Sequence, residues 1–396
     1  MGSEVESIIQ AMGSEVESIQ VRLVEVPLAQ QYRLAYAVLE RKTFVVVKLI
    51  ARDGTIGWGE AAPLPPLTDE SVQTVLDVIR VYLSPVILGQ SALDVNRLNS
   101  DMDKAIPGHL MAKGALDMAL WDLVGHSLNQ PIHRLLGGAL HHRFPLLWPI
   151  GSVSVQETVQ TMVEKSKLGF KTFMIKVAPD PLANQVDLKM QIQRIHAIRR
   201  QFQFPEFRLN VDANQCLNLG QALRLAEELS KLDVDFLEQP LPRAQDSWAL
   251  PRLKAACPGL ALSADESLRS LDDVAALASA HAYDVFSIKV SKNGGISRAR
   301  DMMAVAKAHG VAVLANSMVE LGLSQAAGLQ LAATCPNLVP GGQCFMSTLR
   351  MACDITNFSD YIKNGEVEVP GKPGLGVDVL EDRLDELTIH VEQFSC

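Results

Sequence analysis

From Phe144 onward the chain alternates short apolar runs with stretches of helical pattern, and this alternation constrains the fold more than any other feature. The runs are Phe144–Ile150, Thr172–Val177, Phe207–Val211, Val234–Leu237, Leu260–Ala264, Val285–Ile288, Val311–Ala315 and a weaker eighth near Leu338–Phe345. Strands that alternate with helices form a parallel sheet with right-handed crossovers. Seven or eight such units within about 200 residues predict a (β/α) barrel. An open doubly wound sheet is less favoured, because the residues after Ile150, GSVSVQ, are not a glycine-rich phosphate loop.

The segment before this alternation has strand-like runs first and helices afterwards. Thr43–Ile50 is apolar and β-branched, Asp53-Gly54 is a turn signal, and Thr55–Ala61 resumes the extended pattern, so the pair predicts a hairpin. Later, apolar residues recur at spacings of three and four, which predicts a helix with one buried face: Ala112, Ala115, Leu116, Ala119, Leu120 and Leu123. The segment is therefore predicted to be an α+β domain.

These patterns divide the chain into a cap and a barrel. We predict an α+β capping domain at 19–130, the barrel at 140–350, and a C-terminal segment, 351–396, that returns to the cap. The sequence MGSEVESI occurs twice, at 1–8 and again at 12–19, so we interpret residues 1–18 as a duplicated start and leave them out of the fold prediction.

Composition narrows the class of protein. The 396 residues are 48% apolar and 20% charged, with a formal charge of −9, which gives no basic surface for nucleic acid or anionic membranes. The six cysteines are scattered without zinc-binding spacing, which favours a reducing compartment. There is no run of about 18 apolar residues and no signal-peptide pattern. We therefore expect a cytoplasmic protein that binds neither nucleic acid nor membranes.

The first polar residues beyond the apolar runs form a series. They are Lys176, Asp212, Glu238, Asp265 and Lys289, separated by 36, 26, 27 and 24 residues. Each gap is close to the length of one strand–helix unit, so each side chain falls at the carboxyl end of a different strand. In a barrel these ends converge on one mouth, where barrel active sites lie.

Three carboxylates on successive strands predict a metal site. Like charges held close together cannot all ionise without a cation, and Mg²⁺ prefers oxygen ligands. An isolated acid at a strand end is more often a helix cap, but the series NVDAN, FLEQP and SADES favours ligands at Asp212, Glu238 and Asp265. Asn214 and Gln239 are candidates for orienting these ligands, or are simply turn residues.

The two lysines are candidate bases. Burial at a barrel mouth lowers the pKa of an amine toward neutrality, and Lys176 and Lys289 flank the acidic strands on opposite sides. One base on each face of a substrate is the predicted arrangement; the alternative is a lysine that merely pairs with an acid or extends to solvent. Lys292 is expected to be a solvated loop residue.

This set of residues resembles the enolase superfamily, and specifically its muconate lactonizing enzyme subgroup in the mandelate racemase–muconate lactonizing enzyme family. The resemblance rests on Lys176, NVDAN, LEQP, ADES and SIKVSKNGG in this order. AKGALDMALWDLVG at 112–125 resembles a helix of the capping domain, GWGEAAPLPP at 57–66 its mobile loop, and PGLGV at 373–377 the C-terminal signature. The resemblance covers essentially the whole chain from Ile19.

The resemblance implies a (β/α)7β barrel with an α+β cap and a site for Mg²⁺ or Mn²⁺. Members of the family abstract or deliver a proton α to a carboxylate through a metal-stabilised enediolate. By resemblance, Glu320 in NSMVELG occupies the position of a glutamate that hydrogen-bonds near the second lysine, although an acid in a helix first turn is an equally good interpretation. A small carboxylate substrate and a dimer or octamer are also implied.

The sequence departs from the subgroup pattern in two places. Met174 stands where the first lysine of Lys-x-Lys is usual, which should leave Lys176 more basic and could remove a contact to the substrate carboxylate. The segment GGQCFMSTL lacks the Asp-x-Asp of dipeptide epimerases. We expect a fairly apolar pocket lined by Trp148, Met174, Met318 and Phe345.

These observations lead to a ranked set of functions. The first is a muconate-type cycloisomerase in which Lys176 handles the α-proton and Lys289 serves the opposite face or steadies charge. The second is a racemase or epimerase of an N-acyl amino acid or another α-substituted acid, using both lysines, and a dehydratase is the third. A barrel that binds a carboxylate without turning it over is the alternative from a different class, motivated by Met174.

Overall fold

The computed structural model describes residues 13–33, 38–65, 67–151, 154–177, 179 and 186–396. Most of the duplicated start, and parts of the cap loops predicted near Gln30–Leu39 and Pro63–Asp69, lie outside these residues. Among the helices described, none combines the length and the apolarity needed to cross a bilayer.

The predicted alternation from Phe144 forms a parallel sheet whose strands follow one another in sequence order. In the described residues its strands are β5 Leu147–Ile150, β6 Thr172–Lys176, β7 Arg208–Asp212, β8 Val234–Glu238, β9 Ala261–Ala264, β10 Val285–Ile288 and β11 Ala312–Ala315. The helices that pack outside them are Val155–Lys167, Leu188–Gln201, Leu219–Leu229, Leu250–Ala256, Leu271–Ser279, Gly295–Ala308 and Gly322–Ala332. The barrel prediction is confirmed.

The barrel closes through a segment that is not a regular strand. Leu338 forms a parallel bridge with Val313 of β11, and Gln343 forms one with Leu146 next to β5. The predicted first strand is interrupted at Leu146: Arg143–Pro145 is a separate strand, β4. It pairs with Glu366–Glu368 (β13), which in turn pairs with Ile362–Lys363 (β12).

The cap is built on a four-stranded antiparallel sheet with the order β14-β1-β2-β3. Its strands are β1 Val16–Arg33, β2 Val38–Ala51, β3 Ile56–Ala61 and β14 Thr388–Ser395, so both ends of the chain form the cap, as predicted. Its helices are Val72–Val78, continuing through a π-helical turn Ile79–Leu83 into Ser84–Ile87, then Val95–Ala105, Leu110–Ser127, Ile132–Leu135 and Glu381–Leu387. Because Ser18 pairs with Ser395, the sheet includes residues that the sequence analysis had left out.

The predicted hairpin and the predicted apolar helix pack directly on each other. Gly57 and Gly59 of β3 lie so close to the helix Leu110–Ser127 that a Cβ on them would come within 2.2 Å of Ala119 O and 1.9 Å of Ala115 O. The two glycines of GWGEAA are therefore required by close packing of the strand against the helix backbone.

Buried acids of the cap hold it against the barrel. Asp117 on the helix Leu110–Ser127 accepts hydrogen bonds from the Ser297 amide at 3.1 Å and the Ser297 hydroxyl at 2.5 Å. Glu60 on β3 accepts from the Leu321 amide at 2.9 Å and the Ser324 amide at 3.0 Å, at the start of the last barrel helix. Because these carboxyl groups are fully buried, losing a partner would leave a polar group unpaired in the interface.

Glu60 titrates abnormally because of this position. Burial, together with the neighbouring Glu320 carboxylate, raises the pKa of Glu60 to about 8, although the two amide hydrogen bonds oppose the shift. Lys42 on β2 donates to Met318 O at 3.0 Å and Val319 O at 2.8 Å, and burial lowers the pKa of this lysine to about 8. We therefore expect the contact between cap and barrel to depend on pH between about 4.5 and 8.

We expect Gly59→Ala to lower the free energy of unfolding by about 2 kcal/mol or more, because the new methyl group overlaps the helix backbone. Gly259→Ala is the matched control, since no atom lies within 4 Å of a Cβ at that exposed position. Urea denaturation of both variants checks this. Equal stability of the two variants would contradict the packing argument.

The pH dependence of Glu60 gives a second prediction. Its pKa is raised from 4.5 to about 8 on folding, so its contribution to stability is full below about pH 4.5 and is lost as the pH rises through about 8. The difference in free energy of unfolding, wild type minus Glu60→Gln, should therefore fall between pH 5 and pH 8. Denaturant titrations of both proteins across this range measure it, and a constant or rising difference would show that Glu60 is ionised throughout.

Candidate active site

The strand register places three of the predicted residues side by side. Lys176, Asp212 and Glu238 end β6, β7 and β8, and Lys176 pairs with Asp212 and Asp212 with Glu238 across neighbouring strands. Asp265 and Lys289 each follow the last residue of their strands, β9 and β10. The structure thus brings all five side chains to the same mouth of the barrel.

The carboxylates at this mouth pair with lysines. The ammonium group of Lys176 donates to Asp212 Oδ2, and Lys289 donates to Asp265 Oδ2 at 2.5 Å. Lys292 was predicted to be solvated, and this is wrong: it folds back onto Asp265, donating to Oδ1 at 2.7 Å, and its side chain is only 10% exposed. The turn after β10 returns this residue to the site.

These pairs reverse the expected titration of the two candidate bases. Burial alone would lower the pKa of Lys176, but Asp212, together with Tyr32 and Glu238, outweighs burial and holds that pKa well above its ordinary value. Burial is likewise outweighed at Lys289 by Asp265 and Glu238, so the pKa of Lys289 is raised. The prediction from the sequence rested on burial and gave pairing with an acid as the alternative, and the structure shows the pairing. Lys292, by contrast with these two lysines, has a lowered pKa, mainly because of its burial.

Glu238 lies between Asp212 and Asp265, and its carboxyl group has no lysine partner in the described structure. Burial and the neighbouring charges of Asp212 and Asp265 raise its pKa well above the ordinary value. Ser263 Oγ donates to one of its oxygens at 3.3 Å, and the other oxygen, Oε1, is buried without a hydrogen-bond partner in the described structure. Such an oxygen needs either a proton or a cation.

The chemistry of this donor set fits a hard divalent cation. It offers three carboxylates from successive strands and one buried oxygen that lacks a partner, and Mg²⁺ and Mn²⁺ take such oxygen ligands. In the part of the chain that the structure describes, however, no three acidic, histidine or cysteine side chains are already arranged to hold a metal ion. Asp212 and Asp265 are engaged by lysines, so a cation would have to replace ammonium groups as their counter-charge.

Asn214 and Gln239 lie where they can orient the acids. The backbone N–H of Asn214 donates to Asp212 Oδ1 at 2.8 Å, and the Asn214 side-chain Nδ2 donates to Glu266 Oε1 at 3.1 Å. Gln239 Oε1 accepts from the Asp265 amide at 3.0 Å. Both residues adopt positive φ, 40° and 35°, so they also shape the turns after their strands. Asn214 and Gln239 can therefore be turn residues and can orient the acids at the same time.

Glu320 is buried on the far side of the mouth. It accepts hydrogen bonds from the Ser291 hydroxyl and, at 2.8 Å, from Gln325 Nε2. Ser291 is two residues beyond Lys289, so Glu320 lies near the second lysine, with no direct bond to it among the described contacts. Burial raises the pKa of Glu320.

A cavity of about 50 Å³ opens beside the lysines. Lys176, Asn214, Asp265 and Lys289 line it. The further lining residues are Tyr32, Leu64, Leu67, Pro149, Met174, Asn316, Ser317, Met318, Val319, Cys344, Met346, Ser347 and Arg350. Residues from the cap thus close the mouth of the barrel over the site.

Two of the four predicted pocket residues are placed differently. Met174 and Met318 line the cavity, but Trp148 and Phe345 do not. Trp148 packs edge-on against Phe170 at 5.1 Å between ring centroids, and Phe345 packs against Phe144 at 6.3 Å. Successive side chains of extended backbone point in opposite directions, so their chain neighbours face the cavity in their place.

Three functional candidates were missed from the sequence: Lys292, Glu266 and Arg350. Glu266 directly follows Asp265, and burial raises its pKa to about 8. Its position in ADES, next to a predicted ligand, was the available signal. Arg350 lies in the short 3₁₀ helix Ser347–Arg350, where no sequence pattern indicates a role.

The fold and the strand-end residues define an enolase-superfamily enzyme, a barrel with a cap over its catalytic mouth. Residues 18–137 match the model of the mandelate racemase / muconate lactonizing enzyme N-terminal domain, and residues 154–383 match the enolase C-terminal domain-like model. The chain therefore belongs to the mandelate racemase / muconate lactonizing enzyme family, and it is an enzyme of the isomerase type.

Similar proteins cover almost the whole chain. A chloromuconate cycloisomerase from Pseudomonas putida is 31% identical over 94% of this chain and 99% of its own. The structure of N-succinyl Arg/Lys racemase from Bacillus cereus matches 96% of this chain and 100% of its own, with a TM-score of 0.89 and 26% identity. Muconate lactonizing enzyme from Pseudomonas fluorescens, complexed with muconolactone, matches 95% and 100%, with a TM-score of 0.88 and 27% identity.

We expect Glu238→Gln to weaken Mn²⁺ binding at least about tenfold, because the amide removes one charge and one oxygen ligand from the centre of the site. Glu320→Gln is the matched control: it is equally buried but lies outside the three strand-end acids. Electron paramagnetic resonance titration measures free Mn²⁺ directly and needs no turnover. Equal affinity of the two variants would exclude Glu238 as a ligand.

Proposed function

We propose that this protein is a muconate-type cycloisomerase that handles a proton α to a carboxylate. The observation that carries the proposal is the pair of lysines, Lys176 on β6 and Lys289 after β10, on opposite sides of one cavity with three acids between them. The relatives named for muconate and chloromuconate support this substrate class. An α-proton is too weakly acidic for an amine unless the charge that develops on the carboxylate is neutralised where it forms.

The proposed division of labour follows from position. Asp212, Glu238 and Asp265 would hold a divalent cation, which, when bound, supplies the positive charge that stabilises the enediolate. Lys176 lines the cavity and transfers the proton at the α-carbon. Lys289 faces the site from the other side and steadies negative charge.

The lysine–carboxylate pairs give this site a way to prepare its bases. While Asp212 and Asp265 accept hydrogen bonds from Lys176 and Lys289, both lysines stay protonated and tied down. Once those carboxylates have another counter-charge, their stabilisation of the charged lysines weakens, and burial, which lowers the pKa of an amine, counts for more. In the proposed mechanism Lys176 thus holds a proton that it can deliver, and its amine can take one back.

A racemase of N-acyl amino acids is the second candidate. The N-succinyl Arg/Lys racemase structure is as similar to this chain as the muconate lactonizing enzymes are, and a two-base relay needs a lysine on each face of the α-carbon. Both lysines line the cavity here. Removal of either base would stop racemisation, whereas cycloisomerisation needs one.

Three further properties are part of this proposal. Muconate cycloisomerases of the superfamily depend on a divalent metal in general, and we propose Mg²⁺ or Mn²⁺ from the oxygen-only donor set. All six cysteines are free thiols in the structure, which supports the proposed cytoplasmic location. Assembly into dimers or octamers stays a prediction from the family resemblance.

The two candidate functions differ in how they respond to removal of one lysine. Lys176→Ala should lower both cis,cis-muconate turnover and metal-dependent α-proton exchange in deuterated solvent by about a hundredfold or more. Lys289→Ala should retain exchange if the enzyme is a one-base cycloisomerase. Absorbance of the conjugated diene and proton NMR measure the two readouts.

The control for this experiment is Lys231→Ala, which removes an exposed lysine that pairs only with helix-surface glutamates. We expect it to behave as wild type. Racemisation of N-succinyl amino acids that is lost in both Lys176→Ala and Lys289→Ala, with each variant still exchanging the α-proton of one enantiomer, would favour the racemase. Muconate turnover or racemisation that survives in Lys176→Ala at the wild-type rate would overturn both candidates.

A further inference from the structure

Arg350 places a positive charge on the wall of the active-site cavity, away from the acidic group. It ends the short helix Ser347–Arg350 and lines the same cavity as Lys176 and Lys289. Its backbone segment follows the closing segment of the barrel, so it approaches the cavity from the side opposite to the acids on β7–β9. One end of the cavity therefore carries the acidic group with its lysines, and the other end carries the guanidinium group of Arg350.

The guanidinium group is held in place by aromatic rings. Its Cζ lies 4.0 Å from the ring centroid of Tyr32 in the cap and 4.8 Å from that of Trp148 in β5. One nitrogen donates to Pro149 O. Rings cover the faces of a guanidinium but leave the N–H groups along its edge available, and a fixed fork loses little entropy when it binds a carboxylate.

No acid in the described part of the chain neutralises this charge. Among the described ion pairs none involves Arg350, and Pro149 O is the acceptor that the structure gives it. The nearby Lys165 adds to the positive field, since its ammonium group lies 4.1 Å from the centroid of the same Trp148 ring, and Arg350 adds to burial in lowering the pKa of Lys165. An arginine held at a cavity wall without an acidic partner is suited to an anionic ligand.

Met174 strengthens the case that Arg350 binds an anion, because it replaces a second cation that the family pattern places in this cavity. It lines the cavity on β6, two residues before Lys176, where the sequence analysis expected a lysine from the family pattern. In the described structure three cationic side chains line the cavity: Lys176, Lys289 and Arg350. The two lysines are paired with acids, whereas no carboxylate among the described residues pairs with Arg350.

We propose that Arg350 is a specificity-determining residue that binds a second carboxylate, at the end of the substrate distal to the acidic group. The inference deepens the proposed function, on which it rests, because it restricts the substrate to dicarboxylates. One carboxylate lies toward the acidic group and the lysines, and the other meets the guanidinium fork. Muconate and N-succinyl amino acids both carry such a second carboxylate, so Arg350 serves either candidate reaction.

Binding of an unreactive ligand tests this without any turnover. Adipate is a saturated six-carbon dicarboxylate, and its monomethyl ester has the same length with one charge removed. In calorimetric titrations with Mg²⁺ present, wild type should bind adipate at least about tenfold more tightly than the monoester, as expected for a charge-assisted bidentate pair. Arg350→Met should reduce this preference to less than about twofold.

Lys165→Met is the matched control, because Lys165 lies against the same Trp148 ring but outside the cavity lining. It should keep the preference. Arg350→Gln repeats the test if Arg350→Met does not fold, and thermal melting establishes folding for each variant. A wild type without preference for adipate, or an Arg350 variant that retains it, overturns the proposal. The two proposals can also fail separately. If Arg350 variants lose the preference for adipate but the wild type shows no α-proton exchange, this proposal is upheld and the proposed function is rejected.

Discussion

The balance of buried charge at the barrel mouth determines the rest of the site. Four buried carboxylates, those of Asp212, Glu238, Asp265 and Glu266, lie together with three lysines, Lys176, Lys289 and Lys292, that are at most 13% exposed. The charges of these groups depend on one another. Asp212 and Asp265 keep Lys176 and Lys289 protonated, while burial and the neighbouring negative charges raise the pKa values of Glu238 and Glu266. A buried set of this kind is costly unless its charges are paired. In the proposed function, a cation that took over the acids would leave the amines to the substrate.

The cap is the second requirement, because the mouth would otherwise be open to water. Gly59 allows β3 to lie against its helix, Asp117 fixes that helix to the barrel, and Glu60 fixes β3 to the last barrel helix. Tyr32 from the cap then reaches the cavity and stacks on Arg350. The packing of small residues in the cap thus positions a ring 4.0 Å from a candidate substrate-binding group. The proposed substrate-binding position of Arg350 therefore depends on the packing of the cap.

The sequence predicted the barrel and the strand-end residues because both depend on a period that local patterns reveal. One strand–helix unit separates each of Lys176, Asp212, Glu238, Asp265 and Lys289 from the next, and the period alone brings them to one mouth. Features that depend on a single residue of register were not predictable in this way. Trp148 and Phe345 were assigned to the cavity, but a shift of one position along extended backbone reverses the direction of a side chain. Lys292 and Arg350 reach the site from a turn and a short helix, where no periodic pattern exists.

The central claim is that Asp212, Glu238 and Asp265 exchange lysine partners for a divalent cation. Anomalous diffraction from crystals of the protein soaked in Mn²⁺ tests this most directly, because it locates the ion independently of activity. The account predicts one strong peak among these three carboxylates, with the ammonium groups of Lys176 and Lys289 no longer bonded to Asp212 and Asp265. A saturating Mn²⁺ soak that leaves both lysine–carboxylate pairs intact, with the ion elsewhere or nowhere, would contradict it.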